Sequence, residues 1–204
     1  MIRPNDREPA VNLMPAVRKD WGQVVLKLQV VAAFMFNRYQ SVIRLLDDRL
    51  ARHPQDAYAL LNRAHAHAQL GNKRQAIADL RHLVAAHPER SAADWFNLAF
   101  LQEGEGDLVD AEANFRRALA LDPKLDRAWY GLGLALIRQH RYDEAAAALK
   151  RNTELQPMSP YGWYQLARVH MDRQQPEEAR RIIAHLKGFE PKVAAQLERE
   201  IGAR

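Results

Sequence analysis

Residues 92–123 have the sequence AADWFNLAFLQEGEGDLVDAEANFRRALALDP, and residues 126–157 repeat its pattern as DRAWYGLGLALIRQHRYDEAAAALKRNTELQP. Both stretches carry aromatic residues near the start, small residues at matching places and a proline at the end. Prolines keep the same rhythm along the whole chain, at Pro54, Pro88, Pro123, Pro157 and Pro191. A fixed period of about 34 residues is the signature of a repeat protein in which each repeat is one structural unit.

Each repeat is predicted to form two helices. Residues 128–139 and 143–155 are rich in strong helix formers, and their apolar residues recur three and four positions apart. Gly71 and Gly106 follow the first helix of their repeats, where a left-handed backbone is expected. The proline then ends the second helix because it cannot continue one.

Four further sets of residues keep this period, two of them small and two bulky. Antiparallel helices approach closely only where neither carries a large side chain, so we expect the small sets to mark helix crossings. The small sets are Ala64, Ala99, Gly133 and Ala167, and Ala76, Ala111, Ala145 and Ala179; the bulky sets are Leu60, Trp95, Trp129 and Trp163, and Leu80, Phe115, Leu149 and Ile183.

The repeat resembles that of the tetratricopeptide repeat (TPR) family. The resemblance rests on Asp94–Ala99, Gly106–Asp107, Asp110–Ala111, Phe115 and Ala118–Pro123 in one repeat, and on the same places in the next. It implies an all-α fold, a right-handed α-solenoid of stacked antiparallel helix pairs. The expected organisation is an irregular N-terminal arm (1–22), a degenerate unit (23–56), four full units (57–90, 92–125, 126–159 and 160–191) and a C-terminal capping helix (192–204).

The degenerate unit contains an unusual apolar stretch at residues 24–36. A helix that is apolar nearly all round is stable only when it is buried on most sides. The arm, a partner protein or a second copy of the chain could each provide that cover, and the arm is favoured because an intramolecular contact has a high effective concentration.

Composition excludes several kinds of chemistry. The chain has no cysteine, so it forms no disulfide, thiolate nucleophile, iron–sulfur cluster or zinc ribbon. No zinc-protease, phosphate-loop or serine-hydrolase motif occurs, and Gly131 and Gly133 lie inside a helical pattern, where we expect them to pack helices. His65 and His67 point to different faces of a helix and cannot chelate one ion. We therefore expect no enzymatic activity, no cofactor and no metal.

The charge pattern bears on partners and location. The net charge is +5, but residues 92–125 carry three Lys/Arg against seven Asp/Glu, which interrupts any basic stripe. Nucleic acid is therefore not an expected partner. The longest apolar run is shorter than the ~20 residues of a membrane-spanning helix. We expect a cytoplasmic protein, with peripheral association with a membrane complex left open; an excess of arginine over lysine favours a bacterial source.

The resemblance implies a protein–protein interaction scaffold or adaptor. In this family the first helix of each unit lines a concave groove, and alignment to the family indicates which side chains face a partner. The expected groove residues are Tyr58, Leu61, Asn62 and His65, then Phe96, Asn97 and Phe100, then Arg127, Tyr130, Leu134 and Arg138, then Tyr161, Tyr164, Gln165 and Arg168.

The chemistry of these residues predicts an apolar or amphipathic segment as the ligand. Apolar surface that continues from unit to unit marks a binding site. Amides at three of the positions form a partial ladder that can pair with an extended peptide backbone. The arginines, together with His65, favour a partner that carries carboxylates. The family's carboxylate clamp for chaperone tails is not expected, since only Asn97 and Arg127 match it.

Several alternatives stay open from sequence. Phe96 and Phe100 could pack against the neighbouring unit instead of a ligand, and the tryptophans are expected in the core. The chain could also be a structural subunit of an assembly or homo-oligomer that forms through the N-terminal apolar helix. A third alternative, by resemblance, is a chaperone of the secretion or pilus type.

Overall fold

The computed structural model describes residues 21–202. The predicted arm lies outside these residues except for Trp21 and Gly22, which begin the first helix. The helices are α1 (Trp21–Met35), α2 (Tyr39–Arg52), α3 (Ala57–Gln69), α4 (Lys73–Ala86), α5 (Ala92–Glu105), α6 (Leu108–Leu121), α7 (Asp126–Arg138), α8 (Tyr142–Leu155), α9 (Pro160–Asp172), α10 (Pro176–Lys187) and α11 (Pro191–Gly202).

The helices stack in chain order, each packing on the next. In addition, α5 contacts α7 and α9 contacts α11, so the odd-numbered helices lie side by side in one layer. Within residues 21–202 the secondary structure is entirely helical. The predicted all-α solenoid is confirmed.

The turn inside each helix pair has one residue in the left-handed conformation. Gly71 and Gly106 have φ of +76° and +92°, as their position after a helix predicts. The amide of the next residue then bonds back to a carbonyl five positions earlier, as from Asn72 to His67 at 2.9 Å. The other three pairs have the same geometry without glycine, at Asn37, His140 and Gln174.

Small residues stand where helices cross. A Cβ atom added at Gly131 would lie 2.4 Å from Cζ of the buried Phe115, and one added at Gly133 would lie 2.7 Å from Cγ of Leu149. The alanines of the two small sets are almost fully buried. Small residues thus mark the crossings as predicted, but the facing residue is large instead of small, because the missing Cβ makes room for the side chains of Phe115 and Leu149. At Gly131 and Gly133 no larger residue fits without a shift of its neighbour.

The periodic tryptophans join the units. Each is half-buried at the edge of the core, and its indole N–H donates to the main-chain oxygen of the proline that precedes its helix. Because indole nitrogen can only donate, this bond satisfies its polar atom while the ring packs. The bonds run from Trp95 to Pro88 (2.8 Å), Trp129 to Pro123 (2.9 Å) and Trp163 to Pro157 (2.8 Å).

Ion pairs also connect successive helix pairs. Glu112 on α6 is nearly buried, accepts hydrogen bonds from Arg141 (2.6 Å) and Gln139 (2.8 Å) and pairs with Arg116 on its own helix. Burial by itself would raise the pKa of Glu112, but these hydrogen bonds and charges together hold that pKa below its ordinary value of 4.5. Glu112 therefore helps to fix the contact between α6 and the turn after α7.

Candidate functional site

Two neighbouring cavities open along the layer of odd-numbered helices, and we call them together the inner groove. The first lies between α3 and α5 and has a volume of ≈ 710 Å³. Predicted site residues line much of it: Leu61, Asn62, His65, Asn97 and Phe100.

The second cavity of the inner groove lies between α5 and α7 and has a volume of ≈ 480 Å³. The C-terminal end of α8 and the start of α9 close one side of this cavity. Its predicted site residues are Phe96, Phe100, Arg127, Tyr130, Leu134 and Tyr161. Phe100 lines both cavities, so the apolar surface continues from one to the other.

The two phenylalanines of α5 have different environments. The Phe96 ring is half-buried, with its centroid 5.9 Å from that of Phe115, and it stacks on Phe100 at 6.1 Å. Phe100 is 58% exposed. Phe96 therefore packs within its own unit, against Phe115 of α6, and turns only part of its ring to the second cavity, whereas Phe100 presents most of its ring to the inner groove.

The three predicted arginines also differ. Arg138 forms an ion pair with Glu103 at 2.7 Å and bonds to the main-chain oxygen of the same residue. Arg127 is exposed, and its guanidinium carbon lies 4.8 Å from the centroid of the Phe96 ring. Arg168 lies 5.7 Å above the ring of Tyr164. Among the described residues, neither Arg127 nor Arg168 has a carboxylate within ion-pair distance.

The C-terminal helix occupies the end of the odd-numbered layer. The Tyr164 hydroxyl donates to Glu200 of α11 at 2.8 Å. Burial and the Glu200 carboxylate raise the pKa of Tyr164, while nearby Arg168 opposes them. Tyr164, Gln165 and Arg168 were predicted to line the same groove, and they are not among the residues that line its two cavities.

Two members of the predicted amide ladder already have partners. The Asn62 amide donates to the carbonyl of Tyr58, one turn earlier in α3, at 2.7 Å. Burial raises the pKa of the Tyr130 hydroxyl, and the nearby Gln165 side chain opposes that rise. Asn97, in the first cavity, is the ladder amide for which the described part of the chain offers no hydrogen-bond partner. Among the described residues, the ladder therefore keeps the Asn97 amide and the side-chain oxygen of Asn62 available in the first cavity.

The degenerate unit contributes residues that sequence analysis did not place in the site. Phe34 and Tyr39 line the first cavity, and the Phe34 ring lies edge-on to His65 with centroids 5.2 Å apart. Tyr58 instead lies under α1, where the ammonium of Lys27 is 5.3 Å from its ring centroid. The repeat spacing could have indicated Phe34, since Phe34 lies one period before Ala68, which also lines the first cavity.

Residues 21–202 contain no cluster of three or more His, Asp or Glu side chains that could hold a metal ion. No helix in that range combines the length and apolarity needed to cross a bilayer.

Comparison with known proteins agrees with this architecture. Models of the tetratricopeptide repeat match residues 61–126, 103–164 and 136–199. None of the curated proteins matches the sequence significantly.

Among solved structures, the MamA protein superposes with a TM-score of 0.78 at 19% identity, over 84% of this chain and 93% of that one. MamA from Desulfovibrio magneticus RS-1, from its residue 41 to the end, gives 0.73 at 16% identity over 87% and 95%. YrrB, described as a TPR protein with an unusual peptide-binding site, gives 0.75 at 15% identity over 83% and 88%. The family models cover most of the chain, and this protein belongs to the tetratricopeptide repeat family.

Proposed function

We propose that this protein is a non-catalytic interaction scaffold that binds an apolar or amphipathic segment of a partner protein in the inner groove. The observation that carries the proposal is the continuity of the two cavities through the exposed ring of Phe100. Members of this family typically serve as scaffolds, and the similar fold of YrrB is described as holding a peptide-binding site.

The side chains around the second cavity suit an amphipathic ligand. Tyr161 is 70% exposed and, with Phe100, offers large rigid rings that bind at little conformational cost. Arg127 adds a cationic group that lacks an ionic partner among the described residues. A segment with two apolar side chains and a nearby carboxylate would match these three residues.

Selection from a library of displayed random peptides tests the proposal. We expect the full chain to enrich peptides with several aromatic or large aliphatic residues. The double substitution Phe100→Ala and Tyr161→Ala should weaken the best peptide at least tenfold, since each ring removed from a binding centre costs about 1–2 kcal/mol. Both rings are exposed, so their loss should leave the fold intact.

Val109→Ala is the matched control, because Val109 is an equally exposed apolar residue on α6, outside both cavities. It should leave affinity within twofold of the wild type. The proposal is wrong if no peptides are enriched, or if the double variant binds them as tightly as the wild type does.

A further inference from the structure

Helix α1 carries a row of large apolar side chains on its solvent side. Trp21, Leu28 and Met35 are 69%, 65% and 75% exposed, and Val24, Val25 and Val31 extend the same face. We call these six residues the outer stripe. Contiguous apolar surface of this kind on a folded protein marks an interaction site.

The outer stripe is separate from the side of α1 that packs in the core. Val30 and Ala33 are buried, and Leu26 and Phe34 pack against the core of the first units. The intramolecular contacts of α1 are therefore made by a different face. The apolar residues of α1 therefore form two faces: one packs against the solenoid core, and the other is the outer stripe.

The spacing within the outer stripe favours a helix as its occupant. Trp21, Leu28 and Met35 are seven residues apart, and Val24 and Val31 lie three residues after the first two. This alternation of three and four is the a/d pattern by which one helix packs along another. An extended peptide strand would not match that repeat.

Charge narrows the choice of partner. Helix α1 contains no Asp or Glu, and its one charged side chain, Lys27, has its ammonium over the ring of Tyr58. The outer stripe itself is therefore uncharged, and charged side chains border it on α2, where Asp48 and Arg52 line a cavity together with Trp21 and Val25. A twofold pair brings two identical surfaces together, so those surfaces must not repel each other. Two uncharged stripes meet this condition because they carry no like charges.

The two terminal helices of the solenoid differ in the polarity of their outer faces. At the C-terminal end, α11 carries exposed Gln196, Glu198 and Arg199, and Glu198 pairs with Lys187 of α10 at 2.6 Å. A terminal helix with a polar outer face is what a solenoid needs to end in water. Helix α1 presents an apolar face at the other end of the stack, and no helix within residues 21–202 covers it.

We propose that two copies of this chain pair through their outer stripes around a twofold axis. The six side chains, with Phe36 just beyond the helix, expose on the order of 800 Å² of apolar surface. A stable interface of standard size buries about 800 Å² per partner. The pairing leaves the inner groove of each copy free for its own ligand.

Sedimentation equilibrium of the full chain tests the pairing. The wild type should sediment at twice the chain mass of 23.4 kDa at micromolar concentration. Leu28→Glu should raise the dissociation constant at least 100-fold, because it places two carboxylates at the centre of the interface. Val109→Glu, at an exposed position of α6, should leave the dimer unchanged.

Cross-linking provides an independent readout, since the chain has no cysteine of its own. Leu28 is the central residue of the stripe, so L28C should form a disulfide-linked dimer on mild oxidation while V109C should not. The proposal is overturned if the wild type is a monomer throughout, which would indicate residues 1–20 or another protein as the cover. It is equally overturned if Leu28→Glu stays dimeric or if L28C does not cross-link.

Discussion

The substitution Gly131→Ala tests the close approach of α6 and α7. The new methyl group would lie 2.4 Å and 2.6 Å from two ring carbons of Phe115, whereas ordinary contacts are 3.4–4 Å. Phe115 is fully buried, so the ring can move only by displacing its neighbours. Overpacking of this kind costs about 1–3 kcal/mol, and the better helix propensity of alanine returns about 1 kcal/mol.

We therefore expect Gly131→Ala to lower the free energy of unfolding by up to about 2 kcal/mol, which is up to about 8 °C in melting temperature. Urea denaturation followed by circular dichroism measures this change. Gly104→Ala is the matched control, because Gly104 also lies within a helix but no described atom comes within 4 Å of its added Cβ. That control should gain up to about 1 kcal/mol.

A double-mutant cycle assigns the loss to the contact with the ring. In a Phe115→Leu background the aromatic carbons are absent, and Gly131→Ala should cost at least 1 kcal/mol less than it does in the wild type. The reasoning is refuted if Gly131→Ala and Gly104→Ala change stability alike, or if the cycle shows no coupling.

Two other predictions concern a turn and an ion pair. Gln174 has φ of +60°, a conformation that costs a residue with a Cβ about 1 kcal/mol. Glycine avoids that cost but loses more backbone entropy on folding, so Gln174→Gly should stabilise the fold by about 0.5 kcal/mol. A loss of stability in urea denaturation would contradict this. Folding lowers the pKa of Glu112 below its unfolded value of 4.5. The ionised Glu112 carboxylate therefore stabilises the fold above pH 4.5, and this stabilisation is lost as the pH falls through the folded pKa. Glu112→Gln should therefore flatten the dependence of the urea midpoint on pH below about 4.5, and an unchanged slope would show that Glu112 has no such role.

The helical repeat was predictable because its signals are local. Gly71 and Gly106 predicted left-handed turns, and both have them. His140 and Gln174 take the same conformation although neither is a glycine. Because His140 and Gln174 follow Gly106 at the repeat spacing, the period could have predicted their left-handed conformation.

The candidate site was less predictable, because its side chains have partners far away along the chain. Arg138 was expected at the rim, yet it pairs with Glu103 of the preceding unit. Tyr164 was expected on the groove floor, yet its hydroxyl bonds to Glu200. Alignment to a family gives the register of a residue on its helix. It does not say which neighbouring side chain reaches it.

The sequence by itself therefore determined the repeat, the all-α solenoid and the family, because helix propensity, proline and glycine positions and small-residue crossings are set within one period. Tertiary structure decided which residues remain available. The choice of Phe100 over Phe96 as the exposed ring, and the open outer stripe of α1, depend on how each helix packs on the next. Exposure is a property of the assembled stack, and a single repeat does not contain it.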